Sequence, residues 1–437
     1  MRKMFVFCLA LSMLFIGSSL LKAEVQNVRL GGDIRTRFYY TKNLYDLDSD
    51  SDDDDYYVRQ RSRISAEADL TDNIWAVATV EADGLWGYEG IKRPGQTSSG
   101  STNEWDVDIA EAYLQLSEIF YSPLTLKVGR QYLHYGRGFL ISSREWEYKF
   151  DAVRGIFDFY PWTVDLIYSR LVESDSPVSG GAGKPADDED LFGVNFKYEE
   201  DLWTLEGYVF GIRDEYEWGD PEMIKNAPVA VGIRGDASPV EAFDIWGEFC
   251  YEFGKYQYST MDKAEKIKAF GFDLGAVYVF DVTWEPAIAV SYIFGSGDDD
   301  DDEDLEMFNP FFNYNYYGYA YSPYLSNIGI INAQLSVLPS EETTLVLDFF
   351  YYTQNKKLPM SMGDPNQDNG GVLATTNGEE KDLGMELDVI FEYDYTEDLS
   401  FQLVGAWFKP GDAYELASND NNPDDVFEGR LEIMLNF

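Results

Sequence analysis

Histidine and cysteine are almost missing from this 437-residue chain, which has one His and two Cys. Zinc, haem and iron–sulfur centres draw their ligands from clusters of those residues, so no metal site and no cofactor is expected. Cys8 falls in the leading apolar stretch, which leaves Cys250 alone and an internal disulfide impossible. Positive charge is scarce as well: 33 Lys and Arg stand against 79 Asp and Glu, for a formal net charge of −46. A phosphate backbone needs a basic counter-surface, so nucleic acid is excluded as a partner. Past Leu21 no run approaches ~18 consecutive apolar residues, which excludes helical membrane spans. Aromatic residues, in contrast, are abundant at 16%, although the mean hydropathy is only −0.32. Disordered chains are poor in aromatics, so the chain folds.

Both ends carry signals. Met1-Arg2-Lys3-Met4 precede an apolar run from Phe5 to Leu21, followed by Lys22-Ala23-Glu24. A positive start, a short apolar core and a small boundary residue describe a secretory signal peptide, residues 1–23. The rest, 24–437, reads as a single domain. Its last eleven residues, Phe427 to Phe437, place apolar side chains or Gly at odd positions and mostly polar ones at even positions. That period of two is a strand pattern, and it ends on an aromatic, as in the terminal strand that the barrel-assembly machinery of outer membranes reads.

Between the ends, alternating runs recur and helical periodicity is rare. We read about eighteen strands, among them 27–41, 56–70, 150–159, 162–172, 241–255, 283–294, 382–393, 399–410 and 426–437. Tight turns at Thr71-Asp72-Asn73, Glu199-Glu200-Asp201, Ala237-Ser238-Pro239-Val240 and Asp394 to Asp398 alternate with long polar segments such as 85–104, 295–325 and 356–381. Short connections on one side and long ones on the other predict an all-β, antiparallel up-and-down transmembrane barrel with its short side periplasmic. Trp75, Trp105, Trp162, Trp203, Trp284 and Trp407 near strand ends suit interfacial girdles.

Arginine is distributed unevenly. Arg59, Arg61 and Arg63 sit two apart and share one face of a strand; Arg29, Arg35 and Arg37 share the parity of Asp33 on the strand before it. The opposite parity, Ile34, Phe38, Ile64, Ala66 and Ala68, suits lipid. The arginines are therefore expected to face a lumen, either as a basic stripe that draws in anionic solute or as an arginine–acid network that holds the wall. Carboxylates at inward parity include Glu67, Glu206, Glu248, Asp348, Glu386 and Asp388, with Glu252, Asp273, Glu428 and Glu432 beside them. Acidic runs at Asp46–Asp55 and Asp298–Asp304 fall in outward loops. They lack the glycine and terminal Glu of an EF-hand loop and read as solvated charge bridged loosely to lipopolysaccharide.

The segment 124–154, with Gly129-Arg130-Gln131, Tyr135-Gly136, Leu140-Ile141, Trp146 and Phe150-Asp151-Ala152-Val153-Arg154, resembles the alginate-export family of outer-membrane porins. The resemblance implies an eighteen-stranded barrel that passes an anionic polysaccharide through an arginine-rich constriction, with Arg130, Arg144 and Arg154 joining the basic wall. Arg130 shares the parity of Val128 and turns inward only if Gly129 makes a bulge. The implied function is a passive channel for anionic or polar solutes, embedded in outer-membrane lipid and lipopolysaccharide. The alternatives are a general or substrate-selective porin, whose eyelet has one basic and one acidic wall, and a non-conducting structural or adhesive barrel. An enzyme would need a nucleophile–base pair; His134 with Ser142 or Ser143 is the one candidate, and no acid is evidently placed to orient the imidazole.

Overall fold

A computed structural model describes residues 27–44, 47–50, 54–87, 105–143, 148–173, 188–214, 226–256, 265–298, 304–313, 317–357, 376–415 and 423–437. The expected leader 1–23 and Arg144 lie outside them. The strands are β1 (Asn27–Lys42), β2 (Asp55–Thr71), β3 (Ile74–Leu85), β4 (Asp106–Leu116), β5 (Leu124–Gln131), β6 (Phe150–Phe159), β7 (Trp162–Val172), β8 (Glu189–Glu200), β9 (Trp203–Asp214) and β10 (Ala227–Val240). They continue as β11 (Phe243–Tyr256), β12 (Glu265–Val279), β13 (Ala287–Gly295), β14 (Asp304–Leu305), β15 (Ile328–Ser340), β16 (Thr343–Gln354), β17 (Asp382–Asp394), β18 (Leu399–Pro410) and β19 (Val426–Asn436). Each long strand pairs antiparallel with its neighbours in sequence, and β19 pairs with β1, so eighteen strands close a barrel. The two-residue β14 instead lies parallel to the start of β12.

Connections alternate strictly. Turns of two to seven residues join β2–β3, β4–β5 and so on to β17–β18, whereas loops of eight to thirty-two residues cap the other end. Closure satisfies every interior strand edge, which is what permits a sheet to sit in hydrocarbon. Alternation then sorts the side chains: Leu30, Ile64, Val209, Val231, Val290 and Leu403 stand outward and exposed, while their neighbours point into the barrel. At the short-turn end Trp162 packs on Tyr198 and Tyr198 stacks on Trp203, with ring centroids 4.2 and 4.7 Å apart.

Most boundaries fall within a few residues of the sequence reading, and two that move have a clear physical reason. The turn expected at Ala237–Val240 is strand, with a register shift there, and the chain reverses at Glu241-Ala242. Pro239 suggested a turn, but a bulge accommodates its missing N–H equally well. The strand expected from 283 starts only at Ala287, because Trp284 and Glu285 adopt positive φ in a turn closed by Glu285 N–H to Val282 O at 3.0 Å. Val282 and Trp284 are apolar, so the period of two ran on through a turn.

The seam between first and last strands is completed by Phe437, whose N–H and C=O exchange hydrogen bonds with Gly32 at 3.0 and 2.9 Å. Deleting Phe437 removes both bonds at the closing edge, each worth about 1 kcal/mol. The deletion is expected to lower the fraction of barrel that migrates as a compact band on an unboiled denaturing gel, at unchanged synthesis; an unchanged fraction would show that the seam closes without it.

Candidate pore lining and the loops that enter it

Strands β1 and β2 carry a ladder of guanidinium groups. Their register sets Asp33 opposite Arg63, Arg35 opposite Arg61 and Arg37 opposite Arg59, all on the face away from the exposed Ile34 and Ile64. Like charges directly opposite each other repel, and acids answer them. Asp33 accepts from Arg63 at 2.5 Å and lies 3.5 Å from Arg61, Asp83 accepts from Arg59 at 2.8 Å, and Glu432 on β19 accepts from Arg37. Arg35, Arg37 and Arg61 are buried; Arg59 and Arg63 keep 20% and 11% of their side chains open. Towards the short-turn end Arg29 spans Glu67 and Asp69 at 3.1 and 2.8 Å, and its side chain is half exposed.

The remaining arginines part company. Arg154 stands on β6 with its Nε 3.0 Å from Asp165, a carboxylate that also accepts the Tyr135 hydroxyl at 2.7 Å. Arg130 keeps the parity of Val128. The β5–β6 register runs from Leu124 to Gln131 with no shift at Gly129, so the bulge that would turn Arg130 inward is not formed. It belongs to the long-loop rim, tying Asp151 at 2.9 Å and Asp108 at 3.3 Å. Lys149 joins Asp108 to Glu81 there, beside a cleft of about 450 Å³ that Tyr148, Phe150 and Phe312 help to line. Arg430 on β19 lies in no sequence pattern that marks it; its guanidinium lies 4.5 Å from the Tyr319 ring and donates to Gln402 at 2.7 Å.

Most of the acidic set has a different task from the one its parity suggested: it holds loops. Residues 132–143, 304–313 and 317–327 fold into the barrel, and wall carboxylates grip their backbone. Glu206 accepts from Gly136 N–H at 3.0 Å and Glu248 from Arg137 N–H at 2.7 Å, with the Tyr208 hydroxyl also on Glu248 at 2.7 Å. Glu252 accepts from Asn309 N–H at 3.0 Å. Glu386 accepts from three successive amides, Tyr319, Ala320 and Tyr321, at 2.6, 2.8 and 2.8 Å. Asp348 instead accepts from Asn332 and Gln334 on its neighbour β15, and Asp388 faces Asp348 across β16–β17. Glu67 sits with Arg29 at the far end.

The grips of Glu206 and Glu248 on one loop, and of Glu386 on the other, need a glycine. Gly136 (φ +62) and Gly318 (φ +117) have left-handed backbones that L side chains rarely adopt. A Cβ on Gly136 would lie 2.4 Å from the Glu248 carboxylate, and one on Gly318 2.8 Å from that of Glu386. The loops then pack on each other. Phe139 stacks on Phe308 at 5.3 Å, and Ser142 N–H to Phe312 O and Phe312 N–H to Leu140 O close at 2.7 and 2.9 Å. Leu133, Phe139, Leu140, Ile141 and Tyr321 are buried. The clue was in the sequence, since an outward loop in water has no use for Phe139-Leu140-Ile141. His134 Nδ1 does meet Ser142 Oγ at 3.1 Å, but Ser142 is fully buried and the pair staples the base of the loop.

Removing a carboxylate that satisfies three loop amides, two of them buried, strands all three, and each buried one costs about 1–3 kcal/mol. Glu386→Ala is therefore expected to free residues 317–325 from the wall and raise single-channel conductance in planar bilayers, with Glu386→Gln intermediate because one acceptor oxygen remains. Equal conductance of wild type and Glu386→Ala would show that the loop is held by its aromatic packing alone.

Comparison with known proteins places this architecture. No curated relative matches the sequence. Among solved structures, OccAB1 of Acinetobacter baumannii is similar over 96% of this chain and 99% of its own, with a TM-score of 0.57 at 12% identity. OccK8 (OprE) of Pseudomonas aeruginosa is similar over 94% and 98%, with a TM-score of 0.56 at 10% identity. At such identities the likeness is one of fold. A family model, alginate export, matches residues 26–427, nearly the whole described barrel. The chain belongs to the alginate export family and is an outer-membrane β-barrel channel.

Proposed function

We propose that this barrel is a passive channel for anionic or polar solutes, with anionic polysaccharide of the alginate type as the substrate class, and that it carries out no chemical step. The single observation that supports this reading is the ladder in which Arg35 opposes Arg61 and Arg37 opposes Arg59 on the inner face of β1–β2. With Glu206, Glu248, Glu252 and Glu386 turned onto loop amides, less of the acidic wall is left to repel a polyuronate. Arg59, Arg63 and Arg154, each partly open, are the groups we assign to the passing carboxylates.

A second reading, a general or substrate-selective porin, has its own support. Asp33, Asp83 and Glu432 offset much of the ladder's charge, as they would in an eyelet tuned for transverse field rather than for polyanion affinity. Selectivity separates the two.

Replacing Arg59, Arg61 and Arg63 by Ser is expected to move the reversal potential in a salt gradient toward cation selectivity, because fixed charge in a narrow pore with a low-dielectric wall acts on ions with little screening. The shift grows as salt falls, since the screening length at ~0.15 M is already about 8 Å. Arg29→Ser, at the half-exposed mouth, is expected to shift it less. Equal shifts would remove the ladder from the constriction, and absent conductance in the wild-type barrel would favour a structural role over either channel.

A further inference from the structure

The outer face of the barrel has its own charge pattern. Lys42, Arg213, Lys255, Lys266, Lys268 and Lys409 all have the parity of the exposed apolar residues, and each lies in the last few residues of its strand at the long-loop end. Among the described residues no Lys or Arg of outward parity stands at the short-turn end. In a chain with 79 acidic residues this one-sided placement is not explained by composition.

The densest part of the girdle is on β11–β12. The register sets Lys255 directly opposite Lys266, and Lys268 opposite Phe253 one outward position further down. All three lysines are exposed. Lys268 pairs with Asp304 of β14, which runs alongside Lys266 and Ile267 and so braces this edge. Lys255 and Lys266 form no ion pair with a described residue. Two ammonium groups opposed across a strand pair destabilise a sheet unless an anion sits between them. Immediately towards the barrel's middle the outward surface becomes aromatic, with Tyr251, Phe253 and Phe270 exposed by 36, 42 and 37%.

We propose that this lysine triad at the long-loop end of β11–β12 binds the phosphate headgroup of an anionic lipid, whose acyl chains lie on Tyr251, Phe253 and Phe270. The amines answer the headgroup and the rings answer the tail; free phosphate would use only the first. The site rests on the reading that the long loops mark the outward side of an outer-membrane barrel. That puts the triad in the leaflet where phosphorylated glycolipid is found.

Purified barrel in detergent, offered diphosphorylated lipid A and followed by native mass spectrometry, tests the assignment. An amine near an anionic surface adds about fivefold in affinity, so the combined variant Lys255→Gln, Lys266→Gln, Lys268→Gln is expected to bind about 100-fold more weakly. Lys197→Gln at the turn end is expected to bind as wild type, and dephosphorylated lipid A to bind wild type no better than the phosphorylated form binds the triple variant. Equal binding of lipid A by wild type and triple variant overturns the proposal, as does its full displacement by inorganic phosphate. Conductance measured on the same samples keeps the two readings apart. A barrel that binds lipid through the triad and passes no ions defeats the channel alone, and one that conducts normally with lipid binding indifferent to the triad defeats only the site.

Discussion

A strand that spans hydrocarbon in a closed barrel has two faces, and only one of them can carry charge. A charged group on the lipid side near the midplane costs about 2–4 kcal/mol, so each ionic side chain in the span is driven inward by the same alternation that drives Ile64 and Leu403 out. That constraint concentrates charge in the interior. Arg35, Arg61, Glu248, Glu386 and Asp388 are all among the buried residues, and buried charge must find partners. The arrangement of the lumen is the answer to that demand.

The answer differs on the two sides. On β1, β2 and β19 cation meets anion between neighbouring strands. On β9, β11 and β17 the carboxylates outnumber the cations within reach, and what reaches them is backbone. Charge-assisted hydrogen bonds from amides are worth roughly twice neutral ones, and Glu386 receives three of them from one loop. Gly136 and Gly318 permit the approach, and the apolar residues of both loops, once inside, bury one another. The loops are thus held by the same acidic excess that makes the chain so negative.

Much of this was legible beforehand because period two is a strong signal where one face must be apolar. β6 and β18 keep an unbroken register from end to end, and the parity of Arg59, Arg61 and Arg63 fixes their face without any knowledge of the partner strand. Legibility failed where the chain leaves the period. Parity puts Glu386 on the inner face but says nothing about what it meets there, because Tyr319 to Tyr321 come from a loop more than sixty residues away. Arg130 was read through the resemblance and a supposed bulge, and an unbroken register at Gly129 sends it to the rim instead. The turn at Trp284 was hidden for the opposite reason, since apolar residues at alternate positions can continue through a reversal.

Net charge is consequently a poor guide to the field inside such a barrel. A surplus of carboxylates in composition would suggest a cation-selective pore, yet a carboxylate contributes to the potential along a pore only as far as its charge is left uncompensated there. Glu206 and Glu248 aim theirs at N–H dipoles and at Arg234 or Tyr208. Guanidinium groups on the opposite wall share acids unequally, with Asp33 lying between Arg61 and Arg63. The field inside such a barrel therefore depends on which acids the loops have taken, a matter of backbone geometry in residues 132–143, 304–313 and 317–327 as well as of how many Asp and Glu the chain contains.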